Sequence, residues 1–238
     1  MGSIDTNLAA DVTEFAASVK RDAEHAFRVL RETDTTTAYG TVGFVVRVPG
    51  HDKLVIVNDP GPWDRGQEIT PSIVGLDGTV YAGKHGGGNR YNKLFIEHPE
   101  INIISHVHTL YVAAWAQTHR TFPINYVALN RHHLVRELPI YIDRRQPEVD
   151  FIIEKVNENP HHFAILEANG GGTAWGKGGV RELTDTIILL EEAARLQLLA
   201  EVVGGSRNYG PGVLRQNWNM TGLFEQGKTL GLVPFTDL

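Results

Sequence analysis

Pro99-Glu100-Ile101-Asn102-Ile103-Ile104-Ser105-His106-Val107-His108-Thr109 is the stretch on which both the fold and the chemistry turn. From Ile101 to Val107 it is an apolar run broken only by Asn102, Ser105 and His106, which reads as a buried strand, and Pro99 stops the helical pattern before it. Side chains alternate across a strand, so His106 and His108 fall on one face with their rings able to converge on a divalent cation. The alternative is a pair of histidines satisfied by hydrogen bonds, which a chain with eleven histidines can produce by chance.

Working outward, residues 89–98 suit a short helix, and Leu76-Asp77-Gly78 joins two short strands, because Asp-Gly readily takes the positive φ of a tight turn. Residues 37–48 and 53–57 are rich in β-branched residues and read as a hairpin around Pro49-Gly50-His51-Asp52. Between residues 9 and 30, Val12, Phe15, Ala16, Val19, Ala23, Phe27 and Leu30 recur mostly every three or four positions and predict an amphipathic helix. Downstream, residues 110–117 read as helix, 126–129 and 138–142 as strands, 149–157 as helix, 163–167 as a buried strand and 168–179 as a loop. The longest helical pattern spans residues 180–203, with Leu183, Ile187, Leu190, Ala194 and Leu198 inward. Residues 205–238 are expected to be a peripheral C-terminal tail.

At 238 residues the chain suits one domain around one core. A hydrophobic content of 42% with 21% charged residues is globular composition. The net charge of −6 comes without a Lys/Arg-rich stretch, so nucleic acid is not an expected partner. The absence of cysteine excludes disulfides, thiolate ligands and cysteine nucleophiles, leaving His, carboxylate, amide or water for any metal. No apolar leader or bilayer-length run is present, so the expected compartment is the cytoplasm and no membrane partner is expected. Residues 1–6 fit the bare myristoylation pattern, but read here as an ordinary start.

Leu94-Phe95 followed by residues 99–109 resembles the stretch "iYrarPdvnaVvHtHp" of the class II aldolase/adducin family, with the same proline-to-histidine spacing. Leu76-Asp77-Gly78 falls at that family's "dldG" turn, residues 163–171 at "alLlaNHGv", and Glu191-Glu192-Ala193 within its "A...lE..A" helix. The likeness covers roughly residues 10–205. It implies an α/β fold, a mixed and largely antiparallel β-sheet flanked by helices, assembled as a homotetramer. It also implies a divalent metal (Zn, Mn or Fe) on His106 and His108.

The departures bear on chemistry. Family members use a third histidine in "NHG" and a glutamate in "PSSE"; here those places hold Gly170 (or Asn169, if the loop slips by one) and Gly87. A third ligand can come from His85, Glu167 or Asn169, and Glu167 gives a two-His-one-carboxylate set. Tyr91 stands where the family often has a histidine near the metal and is a candidate proton donor; with His85, His106 and His108 it completes the candidate catalytic set. The family's phosphate-gripping residues align with Val42-Gly43-Phe44-Val45 and His85-Gly86, so a sugar phosphate is not expected, and an uncharged, bulkier organic molecule is.

Gly171 to Lys177 satisfies G-x-x-x-x-G-K, but Gly178 stands where a Mg²⁺-binding hydroxyl is needed; the expectation is a glycine-rich turn over the pocket with Trp175 as a wall. Arg131-His132-His133 reads as a surface or interface cluster, since adjacent residues diverge. The functional expectation is a metal-assisted lyase, a decarboxylase or retro-aldolase. The alternatives are a metal-independent cyclase using the same pocket, a non-haem iron oxygenase, and a non-enzymatic adducin-like module.

Overall fold

The computed structural model describes residues 8–84 and 88–238. The expectations placed on residues 1–6 and on His85, Gly86 and Gly87 lie outside the described residues.

The amphipathic stripe forms α1 (Ala10–Glu32), burying Val12, Ala16, Val19, Ala23, Phe27 and Leu30. β1 (Val42–Arg47) and β2 (Lys53–Asn58) make the predicted hairpin, and Gly50 in its turn takes φ +73°, which glycine adopts without steric cost. β3 (Ser72–Gly75) and β4 (Val80–Ala82) follow, joined through Asp77, whose carboxylate accepts the Thr79 N–H at 2.9 Å. A 3-10 turn (Gly88–Tyr91) leads into α2 (Asn92–Glu97), and β5 (Ile103–Val107) carries His106. Then come α3 (Leu110–Ala116), β6 (Phe122–Pro123), α4 (Val127–Asn130), β7 (Glu137–Leu138), β8 (Ile140–Tyr141) and α5 (Glu148–Glu158). β9 (Ala164–Glu167), β10 (Gly172–Gly176), α6 (Val180–Val202), α7 (Val213–Thr221) and α8 (Phe224–Thr229) complete the order.

Eight strands form one sheet in the order β4-β3-β2-β1-β5-β10-β9-β8, antiparallel throughout except for the β8–β9 pair. The mixed, largely antiparallel sheet flanked by helices is thus as expected. Strand alternation divides the apolar side chains into two layers. Phe44, Val46, Val55, Val57, Ile103 and Val107 pack with the buried stripes of α1 and α6. Val45, Leu54, Ile56, Ile104, Ile165 and Trp175 pack on the other face with Leu94 and Phe95 of α2 and Ile152, Ile153 and Val156 of α5. His106 shares the parity of Ile104 and so points to the α2–α5 side. Among the described residues no helix is long and apolar enough to cross a membrane.

Three segments differ from the sequence reading. Residues 126–129, read as strand, form the single turn α4, where the N–H groups of Asn130 and Arg131 donate to the carbonyls of Tyr126 and Val127 at 3.0 and 2.9 Å. Four apolar residues are too few for periodicity to separate the two states. Residues 168–179, read as a loop, contain β10, an interior strand paired to both β5 and β9. Its glycines hid it, and its pairing spends on the sheet the amides that a phosphate-binding loop needs free. Trp175 is buried in the sheet core and borders a different cavity, one lined also by His133 and Phe163, rather than walling the His106 pocket. The third segment is residues 213–229, which fold into α7 and α8 and enclose Trp218 with Leu134, Leu214 and Phe224.

Candidate active site at the end of β5

Asn58, Gly43, His106 and Thr173 lie in one lateral row across β2, β1, β5 and β10, and directly opposed residues share a face of the sheet. Gly43 keeps the row open beside His106, since a Cβ there would lie 2.1 Å from Asn58 Oδ1. On the other flank Thr173 Oγ1 is 3.1 Å from His106 Nδ1, and Glu167, the last residue of β9, brings Oε1 within 2.8 Å of the same nitrogen. Burial alone would raise the Glu167 carboxyl, but the hydrogen bond and charge of His106, with Thr173 and Arg144, outweigh it and hold the group at about 2. An ionised Glu167 only accepts, so His106 carries its proton on Nδ1 and leaves Nε2 for another partner.

Glu148, at the start of α5, supplies a second carboxylate. Its Oε1 accepts from the Tyr91 hydroxyl at 3.1 Å and lies 2.8 Å from Thr173 Oγ1, which is also 2.7 Å from Glu167 Oε1. One hydroxyl has one proton, so Thr173 serves one carboxylate at a time. Arg90 approaches Glu148 at 3.5 Å and Arg144 approaches Glu167 at 3.4 Å, so each acid has its own guanidinium. His106, Glu148 and Glu167 present donor atoms within 4.8 Å of one another.

His108 sits just past β5, held by its own backbone: its N–H donates to Thr41 O at 2.9 Å and its carbonyl accepts from Thr37 N at 3.0 Å. Its ring meets that of His106 edge-on, with centroids 5.0 Å apart. Burial and the neighbouring His106 lower its pKa, which favours the neutral, ligating form. Gly171 is required against it, since a Cβ there would lie 2.2 Å from Val107 O and 2.8 Å from His108 Cδ2. Tyr91 is buried, and burial followed by the charge of Glu148 pushes its phenol well above the usual range, so the hydroxyl stays protonated.

The structure thus brings His106, His108, Tyr91 and Glu167 into one neighbourhood. Asn169 is turned away: at φ +58° its side chain joins Gln117 and His119, at 2.8 and 2.6 Å, and offers the site nothing. A Cβ on Gly170 would lie 3.6 Å from Arg144 Nη2, so a side chain leaving that point would meet a guanidinium. His132 and His133 diverge as expected, His133 stacking on Phe163 with ring centroids 3.6 Å apart. The sequence reading missed Glu148, Thr173, Arg90 and Arg144; the one local signal was Pro147-Glu148 at a helix start, where proline and acids both favour the N-terminus.

A cavity of about 410 Å³ opens beside His106, with Gly43, Val45, Ile56, Arg90 and Tyr91 in its wall. His106 reaches this cavity, and one imidazole with the two carboxylates of Glu148 and Glu167 beside it forms a donor set that divalent first-row metals accept.

A sequence model for the Class II Aldolase and Adducin N-terminal domain matches residues 25–198. Among solved structures, an L-fuculose 1-phosphate aldolase superposes with a TM-score of 0.70 at 16% identity, over 86% of this chain and 96% of its own. L-fuculose 1-phosphate aldolase from Glaciozyma antarctica PI12 gives 0.67 at 17%, over 94% and 93%. An aldolase II superfamily protein from Pseudomonas syringae gives 0.62 at 18%, over 96% and 97%. No curated protein matches by sequence. At these identities the structural likeness speaks to the fold.

Proposed function

The chain belongs to the class II aldolase and adducin N-terminal domain family, and from that premise we propose that it is a metal-assisted lyase, a decarboxylase or retro-aldolase, acting on the carbon skeleton of a non-phosphorylated small molecule. The observation that carries this is the placement of His106 and His108, edge to face with centroids 5.0 Å apart, with Glu167 fixing His106 through Nδ1. A carboxylate behind a histidine is the arrangement that orients a metal-ligating imidazole and raises its basicity.

His106 and His108 are the residues that would hold a divalent cation, with Glu167 as orienting partner or, if it turns, as third ligand. A cation there supplies Lewis-acid polarisation of a substrate carbonyl. The chain's own groups do the rest. Tyr91 keeps its proton on Oη against Glu148 and faces the cavity, which suits it to donate a hydrogen bond or a proton to a substrate oxygen. Glu148 and Thr173 fix the phenol and the carboxylate behind His106. Gly43 and Val45 leave room without phosphate-binding groups, which supports a non-phosphorylated substrate. Four exposed residues at the C-terminal end of α6, Leu196, Leu199, Val202 and Val203, support association of copies, and a homotetramer belongs to this proposal, as do a cytoplasmic location and a single domain spanning residues 1–238.

One observation favours a second reading, catalysis by shape without metal. Arg144 already sets a fixed positive charge against Glu167, beside the place of the family's missing histidine. The two readings separate on a screen of non-phosphorylated β-keto acids and aldols for release of carbon dioxide or aldehyde, run with Zn²⁺, Mn²⁺ or Fe²⁺ and in chelator. The lyase reading predicts turnover that depends on metal and is lost in His106→Ala; turnover at full rate in chelator overturns it. Oxygen consumption during turnover would point to the oxygenase instead.

A further inference from the structure

The mouth of the His106 cavity carries two largely exposed aromatic rings. Trp63 is 93% exposed and Tyr39 is 72% exposed, and both line the same cavity as His106, Arg90 and Tyr91. The other three tryptophans, Trp115, Trp175 and Trp218, are buried, so the chain uses this residue as a core element everywhere but here. An indole held in water forgoes the largest apolar burial available to any side chain, and such exposure at a cavity mouth marks a surface that something else covers.

The rim is built rather than loose. Pro60 and Pro62 restrict the backbone leading to Trp63. Asp59 is buried in an ion pair with Arg31 and accepts the Gly61 N–H at 2.8 Å. Arg65 reaches across to donate to the carbonyl of Ala38 at 3.2 Å, tying the Trp63 loop to the segment that carries Tyr39. Gly40 closes the same seam at φ +74°, a conformation that favours glycine, with its absent Cβ directed 3.5 Å from Arg65 Nη2 and 3.8 Å from Asp59 Oδ1. Among the described residues that line the cavity the permanent cation is Arg90, half exposed, stacked on the Tyr91 ring at 4.7 Å and 3.5 Å from Glu148, while Asp59 is held by Arg31 and Asp64 is the exposed acid of the rim.

We infer that the cavity takes a planar aromatic carboxylate, its ring against Trp63 and Tyr39 and its carboxylate at Arg90, with the carbon next to the ring delivered toward His106 and Tyr91. Flat apolar rings match exposed indole and phenol faces, and a half-exposed guanidinium is the group that binds carboxylates in a planar, two-point fashion. A volume of about 410 Å³ lies within the range of small-molecule sites and exceeds what a single ring with a short acid chain fills. A sugar phosphate has neither the flat apolar face nor a use for these rings. The inference rests on the His106 centre proposed above for the direction of the reacting end, but not on the metal.

The test uses full-length protein labelled with 5-fluorotryptophan and observed by ¹⁹F NMR in chelator, with Trp63→Phe assigning the Trp63 resonance. The free protein should show a solvent isotope shift at Trp63 well above that of the three buried indoles. Cinnamate should move the Trp63 resonance saturably, whereas phenethylamine, which has the ring but a cation, and dihydroxyacetone phosphate should leave it in place. Trp63→Ala and Arg90→Gln should each weaken cinnamate binding by about fivefold to tenfold, the worth of one stacking or charged contact at a partly wet site. Three results overturn the inference: cinnamate moving none of the four resonances, phenethylamine or the sugar phosphate moving Trp63 as strongly, or a Trp63 isotope shift that is absent until the protein is diluted. The last would assign the rim to contact with a second copy. Repeating the titration on His106→Ala/His108→Ala keeps the two proposals apart, because cinnamate binding that survives there stands even if the lyase reading fails.

Discussion

Replacing Glu167 by Gln should remove most of what the ionised carboxylate at the centre of the site contributes to stability, and the loss should fade in acid. The carboxyl is held at about 2 against an ordinary 4.5, despite burial, by His106, Thr173 and Arg144. A folded-state pKa below the unfolded one means stabilisation that is complete above the unfolded value and is lost as pH falls toward the folded value. A depression of that size corresponds to roughly 3 kcal/mol at pH 7, most of it still present at pH 4 and less than half of it left at pH 3. Because Gln keeps the shape and one hydrogen bond, the measured loss should be somewhat smaller at each pH, with the same downward trend. The assay is urea unfolding of both proteins in chelator at pH 7, 5 and 4, followed by tryptophan fluorescence. A loss below about 0.5 kcal/mol at pH 7, or a gap that widens as pH falls, would refute the idea that His106 and Arg144 hold an ionised carboxylate here.

Gly171→Ala should cost about 1–3 kcal/mol and displace His108, because the new methyl meets Val107 O and the His108 ring; the checks are urea unfolding and loss of Co²⁺ absorbance bands on titration. Glu191→Ala should destabilise by about 2 kcal/mol, since Glu191 on α6 is buried and accepts the first N–H groups of α3, from Tyr111 and Val112, at 2.7 and 2.9 Å; the cost is read from the urea midpoint. Trp218→Ala should cost about 3–5 kcal/mol, because the ring is fully buried beneath Gly227 and donates to Asn130 O at 3.0 Å. Limited proteolysis should then cut first within residues 205–238, whereas unchanged resistance there would show that α7 and α8 do not depend on this ring.

Elements whose side chains repeat with a clear period were legible in the sequence: α1, the β1–β2 hairpin, β5 and α6. β10 was not, because an interior strand beginning at Gly172 gives no apolar alternation, and its partners β5 and β9 alone define it. α4 was lost for the opposite reason, an apolar tetrapeptide that fits either state. In the site, His106 and His108 could be read from their spacing, since alternation is a local rule. Glu148, Thr173, Arg90 and Arg144 could not, since each arrives from a different element and is placed only when the sheet order sets β10 beside β5 and the start of α5 near α2. The pairing of Arg144 with Glu167 is of this kind: no spacing rule links residues twenty-three positions apart. The role of Glu191 was half visible, recognised as part of a helix pattern but not as the cap of α3.

The most direct test of the account is the metal content of protein purified without added metal, measured by plasma mass spectrometry beside the His106→Ala/His108→Ala double variant and, to confirm folding, far-UV circular dichroism of both. The account predicts close to one equivalent of a divalent transition metal per chain, lost in a variant that remains folded. No metal in either protein, even after reconstitution with Zn²⁺, Mn²⁺ and Fe²⁺, would contradict it and leave a cavity that works by shape and hydrogen bonding, with Arg144 as the fixed charge against Glu167.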